Sequence, residues 1–298
     1  MDNTFVDVTM DNASTNIIRD KISGVIFGHV LADILNDKYS VLSEHLLVVI
    51  QSYINNHDIN YDINMIDIAQ RMQSCANIRI NPTLEYIIND PEFTINPQSV
   101  ANKVWINSGK KMCINVCLPR CSVLGLLPGD IKQAVIDLTH ITHAAPECVL
   151  CCVLYAMIIN KLVYPSNTIS PIYIDTIVNA CSDIIKESDT HQLLSCIDAY
   201  EKNIKELDLG SNNCYSIIKC FSCVMYTLQI IKFSLEHNKT PSFTKVIQFI
   251  INQGGSSDVN SVTVGALLGA YLGSKKLPLV DDAQLLNISE LFTRYLQL

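Results

Sequence analysis

Histidines and cysteines are the residues whose types and spacing first suggest chemistry. His140-x-x-His143 is followed by Cys148-x-x-Cys151, a set of imidazoles and thiols of the kind zinc accepts. The two intervals do not match a zinc finger, and the cysteines open an apolar run, so the spacing predicts core thiols rather than a metal site. Cys113, Cys117 and Cys121 recur every four residues and would share a helix face. Pro119 interrupts any such helix, so a cluster site is not expected there. A Cys–His nucleophile would need His140 or His143 beside one activated thiol. No local charge singles one out, and burial raises a thiol's pKa. Trp105, the single tryptophan, reads as a core residue rather than a nucleobase stacker.

The elements that would position these groups read as helices. Apolar residues at Ile22, Val25, Ile26, Val30 and Ile34 predict a helix over Lys21 to Leu35, with Asn16 and Asp20 as candidate caps. Further helices are predicted over Leu42 to Ile54, Asp62 to Met72, Ile172 to Ile185, Gln192 to Leu207, Cys214 to His237, Phe243 to Asn252, Ser261 to Leu272 and Asp281 to Leu298. Pro82, Pro91 and Pro97 punctuate helix–loop–helix traffic. A short helix, a turn at Pro128-Gly129-Asp130 and another helix cover Cys121 to His143. Glu147 to Tyr164 is apolar on nearly every face and predicts a buried central helix. Gly24-x-x-x-Gly28 and Gly265-x-x-x-Gly269 share a spacing that permits close helix–helix approach, so the two helices are expected to pack on each other. Strict two-residue alternation is scarce. The expected fold is all-α, a single compact many-helix domain over residues 1–298.

Composition narrows the function classes. The 298 residues are 49% hydrophobic and 17% charged, with 21 Lys+Arg, 29 Asp+Glu and a net charge of −8. A pI near 5.3 and no basic run beyond Lys110-Lys111 and Lys275-Lys276 argue against nucleic-acid binding by phosphate neutralisation. The longest apolar run, between Glu147 and Asn160, is about a dozen residues where a bilayer needs roughly 20, so no membrane span is expected. The acidic opening MDNTFVDVTMDN is not a secretory signal, and the twelve cysteines sit mostly in apolar runs. A cytoplasmic location is the expectation.

Three segments, taken in order, resemble the ADP-ribosylglycohydrolase (DraG-like) family. Gly24-Val-Ile-Phe-Gly28-His-Val-Leu-Ala32-Asp33-Ile-Leu35 is similar to the family's opening helix, G-a-l-l-G-l-a-x-G-D-a-l, with Ala32 in place of a glycine. Asn115-Val-Cys-Leu-Pro-Arg120, with Leu124-Gly125-Leu126 after it, is similar to N-G-x-A-M-R…x-G-L, and Thr142-His143-Ala-Ala-Pro146 to T-H-x-x-P. Gly254-Gly255-Ser256-Ser257-Asp258-Val259-Asn260, then Ser-Val-Thr-Val-Gly265-Ala-Leu-Leu-Gly269-Ala270, follows G-G-D-T-D-T-N and a-x-x-a-G-A-L-L-G-A.

The resemblance implies a helical fold that holds two Mg²⁺ ions between a T-D-D-T-like element after the opening helix and a D-x-D-T element near the C-terminus. Those ions would hold ribose hydroxyls and orient water for cleavage of an ADP-ribosyl bond. This chain departs from that pattern where the acids should stand. Tyr39-Ser40-Val41-Leu42-Ser43 falls opposite aromatic-T-D-D-T, so Val41 and Leu42 replace the carboxylates and only the hydroxyls of Ser40 and Ser43 remain. Ser256 stands for an acid and Val259 for the threonine, while Asp258 is kept. A magnesium pair is therefore not expected, and no catalytic residue or cofactor is assigned. A single weak Mg²⁺ at Asp258, with Ser40, Ser43 and Ser256, is the alternative. Asp33, Asn115, Arg120, His143, Gly254 and Gly255 are carried over as ligand-contact candidates. Ser108-Gly109-Lys110-Lys111 reads as a solvated loop before a phosphate cradle. The expected function is a catalytically impaired relative that binds ADP-ribose-type ligands, an ADP-ribosylated protein or a protein partner. The alternatives are a working ADP-ribosyl hydrolase centred on Asp258 and Asp33, and structural reuse of the fold without a ligand.

Overall fold

The computed structural model describes residues 12–36, 40–56, 63–75, 81–164, 209–210 and 213–298. Among them the chain forms helices and short 3-10 turns and no strands, and a lone antiparallel bridge joins Ile114 to Ser216. The all-α expectation is met. The helices predicted over Ile172 to Ile185 and Gln192 to Leu207 lie outside the described residues.

In chain order the helices are α1 (Asn12–Leu35), α2 (Val41–Asn56), α3 (Met65–Ser74), α4 (Pro82–Ile88), α5 (Pro97–Asn107), α6 (Lys132–His140) and α7 (Pro146–Val163). They continue as α8 (Ile217–Glu236), α9 (Phe243–Asn252), α10 (Ser257–Leu272) and α11 (Ala283–Tyr295). The 3-10 turns Asn115–Cys117 and Pro119–Leu126 join α5 to α6. The Asn64, Asn81 and Asn96 side chains cap α3, α4 and α5, and Pro82 and Pro97 occupy the first turns of their helices, where a missing N–H is harmless.

The closest packing joins α1 to α10. A Cβ added to Gly24 would overlap the Gly269 carbonyl oxygen, and one added to Gly269 would overlap that of Gly24. Gly28 and Gly265 stand in the same reciprocal relation. The pairs run in opposite directions along the two helices, so the crossing is antiparallel. It carries Ala32 to Gly265 and brings the C-terminal end of α1 beside the N-terminal end of α10. The two glycine motifs thus meet as expected.

α1 begins earlier than its apolar periodicity suggested, and Asn16 and Asp20 lie inside it rather than capping it. The Asp20 carboxylate instead accepts from Ser274 Oγ at 2.7 Å and from Lys275 N at 3.1 Å, which pins the turn that closes α10. Gly273 ends that helix at φ 75°, a left-handed conformation glycine adopts freely.

α7 runs through the core with almost every side chain buried. Its Tyr155 hydroxyl donates to the Thr263 carbonyl on α10 at 2.7 Å. Asn160 Nδ2 donates to the Gly125 and Leu127 carbonyls at 3.2 and 2.8 Å, so α7 also satisfies the end of the second 3-10 turn. α7, with 18 residues, and α8, with 20, are long and apolar enough by length and composition to cross a membrane, but 72% and 56% of those stretches pack inside the protein. α7 exceeds the uninterrupted apolar run because Lys161 lies within it.

Candidate functional site

Asp33 lies near the C-terminal end of α1 and is only 2% exposed. Its carboxylate accepts from Ser40 N at 2.8 Å and from Ser43 Oγ at 2.6 Å, and Ser40 Oγ lies 2.8 and 3.0 Å from its two oxygens. Ser40 Oγ in turn accepts from Leu42 N at 3.1 Å, the side-chain bond of a helix N-cap. Asp33 therefore buttresses the start of α2, where the helix dipole favours a negative charge. Both serine hydroxyls point at Asp33. Val41 and Leu42, which follow, are 1% and 2% exposed and belong to the core.

Two histidines flank this junction, and sequence reasoning did not single them out. Burial holds His29 at a pKa of about 3; its ring approaches the Leu42 carbonyl, yet neither ring nitrogen reaches hydrogen-bond geometry. Burial, reinforced by the Arg120 charge, holds His45 at about 3. Both are neutral at ordinary pH. Glu44 sits in the first turn of α2 with Oε2 buried and unpartnered. Burial and then the Glu44 charge push the Cys75 thiol up to about 11.

The start of α10 supplies the second part. Gly254 and Gly255 have φ of 74° and 68°, and a Cβ on Gly255 would collide with the Leu209 carbonyl. Only glycine suits the latter position, on conformation and on space. The structure therefore gives Gly255 a backbone role, while open space surrounds Gly254. Ser256 stands at the N-cap position without a side-chain cap bond, and its Oγ donates instead to Asp258 Oδ1 at 3.2 Å. Asp258 is half-buried and Val259 fully buried. Asn260, 1% exposed, has neither amide atom bonded.

The third part is the 3-10 region. Arg120 is 1% exposed, and its Nη2 donates to the Leu138 carbonyl at 3.3 Å and to Thr142 Oγ1 at 2.6 Å. Its Nε and Nη1 have no partner, and no carboxylate among the described residues pairs with it. Thr142 Oγ1 lies 2.7 Å from His143 Nδ1. His143 Nε2 is buried with no partner. Burial and then Arg120 hold the His143 pKa well below the usual imidazole value. Asn115 is fully buried and both its amide atoms lack partners.

The α1–α10 register brings Asp33 and the 256–259 element to the same end of the helix pair, and the Pro119–Leu126 turn packs against α1, α2 and α10. The Asn115–Cys117 turn packs against α7 and α8 instead. His140 and His143 do not combine: His140 lies on the surface near Gln98, 3.5 Å from Nε2 to Nδ1. No group of three or more His, Cys, Asp or Glu among the described residues is arranged to hold a metal. In the 108–111 loop, Lys110 lies over the partly buried Trp105 ring, 5.4 Å from its centroid, in keeping with an ordinary surface loop.

Pro119 breaks any continuous helix without scattering the thiols. It opens a new 3-10 turn, and the two successive turns keep Cys113, Cys117 and Cys121 on the side of α7, where Cys148 and Cys152 meet them. The spacing of four in both stretches was the available signal.

Comparison with known proteins agrees with this architecture. The sequence model of the ADP-ribosylglycohydrolase family matches residues 16–294. A solved ADP-ribosylglycohydrolase-related protein complex contains a chain similar in fold, with a TM-score of 0.63 at 12% identity, over 95% of this chain and 99% of that one. No curated protein matches this sequence. With a family match that spans nearly the whole chain and a helical frame that sets the α1 and α10 motifs end to end, the protein belongs to the ADP-ribosylglycohydrolase family.

Proposed function

We propose that this chain binds an ADP-ribose-type ligand, free or carried by a modified protein, and does not hydrolyse it. The observation that carries this reading is the chemistry at and beside the positions matching the family's metal-binding elements. Val41, Leu42 and Val259 are aliphatic and buried, and Asp33 has both oxygens engaged by the start of α2. A pair of Mg²⁺ ions needs several free carboxylate oxygens in octahedral array. Asp33 and Asp258 alone do not meet that need, so no step is routed through magnesium. Polar groups suited to phosphate and ribose remain nearby: Arg120 Nε and Nη1, His143 Nε2 and the Asn260 amide, all buried without partners. A buried guanidinium without a carboxylate is costly to keep unless something anionic joins it.

A second reading is favoured by Asp258. It is half-buried at the start of α10, and only one of its oxygens accepts from Ser256, so a single cation there could support an altered hydrolase. Calorimetry with ADP-ribose in Mg²⁺ and in EDTA, beside an assay for ADP-ribose release from a modified peptide, separates the readings. Metal-independent binding without release is expected. Metal-dependent release that Asp258→Ala abolishes would establish the second reading, and the absence of both would leave reuse of the fold.

A further inference from the structure

Five thiols from two stretches of sequence form one row. Cys148 Sγ lies 3.7 Å from Cys113 Sγ and Cys152 Sγ lies 3.6 Å from Cys117 Sγ. Cys148 also neighbours Cys117, and Cys152 neighbours Cys121, so the order along the row is 113, 148, 117, 152, 121. Only Cys113 is partly exposed; the other four are buried. None of this enters the ligand-binding reading above. The row seams the segment before the first 3-10 turn to the first turns of α7.

We propose that Cys113 and Cys148 are a disulfide-forming site oxidised by peroxides, with Cys113 as the solvent-side thiol and Cys148 as the thiol that resolves it. The Cys113 thiolate attacks one oxygen of the peroxide, the O–O bond breaks, and the other oxygen leaves as an alcohol or water after taking a proton. Cys113 is then a sulfenic acid. The Cys148 sulfur attacks the Cys113 sulfur, the S–S bond forms, and hydroxide leaves from Cys113 and is protonated at its exposed side. Two thiols lose two electrons, and the peroxide gains them.

The surroundings suit the second step. Burial raises the Cys148 thiol, and its hydrogen bonds to Cys113 and Cys117 raise it further. The Cys148 S–H is directed at Cys113 Sγ, so its proton passes to the departing hydroxide as the disulfide forms. Closing the sulfurs from 3.7 Å to a bond of about 2.05 Å takes side-chain rotation at the partly exposed end of the row.

The test uses the full chain, treated with hydrogen peroxide under native conditions, alkylated and mapped by peptide mass. The expected first product lacks the mass of two hydrogens and carries a Cys113–Cys148 link. In Cys148→Ser that link is absent and Cys113 accumulates as a sulfenic acid that dimedone traps. In Cys113→Ser, with Cys113→Ala as a second form and thermal melting to confirm folding, the first thiol loss slows by about tenfold or more. A first link elsewhere, for instance at the half-buried Cys75 or Cys214, would overturn the proposal. So would unchanged kinetics in a folded Cys113 variant, or oxidation of Cys113 to a sulfinic acid with no link.

Discussion

Asp33 is a ligand-contact candidate by its place in the family's opening motif, and its bonds are those of a structural buttress. It accepts from a backbone N–H and from two serine hydroxyls at the start of α2. Asp33→Ala removes all of these acceptors at a buried place, so we expect it to destabilise the protein by about 3 kcal/mol in urea unfolding, with Asp33→Asn at about half that. Arg120 behaves differently. Its unpaired Nε and Nη1 make it a poor contributor to stability, so Arg120→Met is expected to stay within about 1 kcal/mol of the parent in the same measurement. Its ADP-ribose affinity, read by calorimetry, is expected to fall by about tenfold or more, the loss of a charge-assisted hydrogen bond or two. The family motifs made Asp33, Arg120, His143 and Asp258 legible in the sequence. The roles of the bonds were not, because a carboxylate that caps a distant helix and one that binds a cation look alike as letters. The orphaned Asn260 amide and the neutral His29 and His45 were equally hidden, since their state is set by burial.

Among the elements, the α1–α10 seam is the most sensitive to side-chain volume. Gly269→Ala sets a methyl group against the Gly24 carbonyl, backbone against backbone, where no rotamer change gives relief. We expect a loss of about 3 kcal/mol or more. Gly129→Ala is the contrast. Its φ of 86° strains an alanine, but open space surrounds it, so about 1 kcal/mol is expected from the same unfolding experiment. Both glycine motifs were visible in sequence, and so were the bodies of most described helices, because apolar spacing marks a buried face whatever the neighbour. Ends were less legible. α1 extends to Asn12 and α10 to Ser257, beyond the apolar spacing, because exposed or capping turns carry no hydrophobic period.

For the molecule as a whole, three buried histidines tie stability to pH. His29 and His45 are held at about 3, and His143 well below its usual value, while each returns to about 6.5 on unfolding. Between those values the unfolded chain binds the extra protons, so the folded state weakens as pH falls below 6.5 and regains its stability above it. Each histidine contributes about 1.4 kcal/mol of loss at one unit below 6.5, or about 4 kcal/mol for the set between pH 7.5 and 5.5. Urea titrations across that range should show a steepening decline, and His45→Gln should flatten it by about a third if it folds.

The glycine seam has one more implication, for the chain's birth. It joins two helices, α1 and α10, that lie far apart in the sequence, so the first is made well before its partner. During synthesis the bare Gly24–Gly28 stripe must wait, uncovered, until α10 emerges, so the nascent protein passes through a long interval in which its first helix lacks the partner it was shaped for. A chain halted before residue 257 leaves that stripe bare, a consequence of a contact between two pairs of glycines.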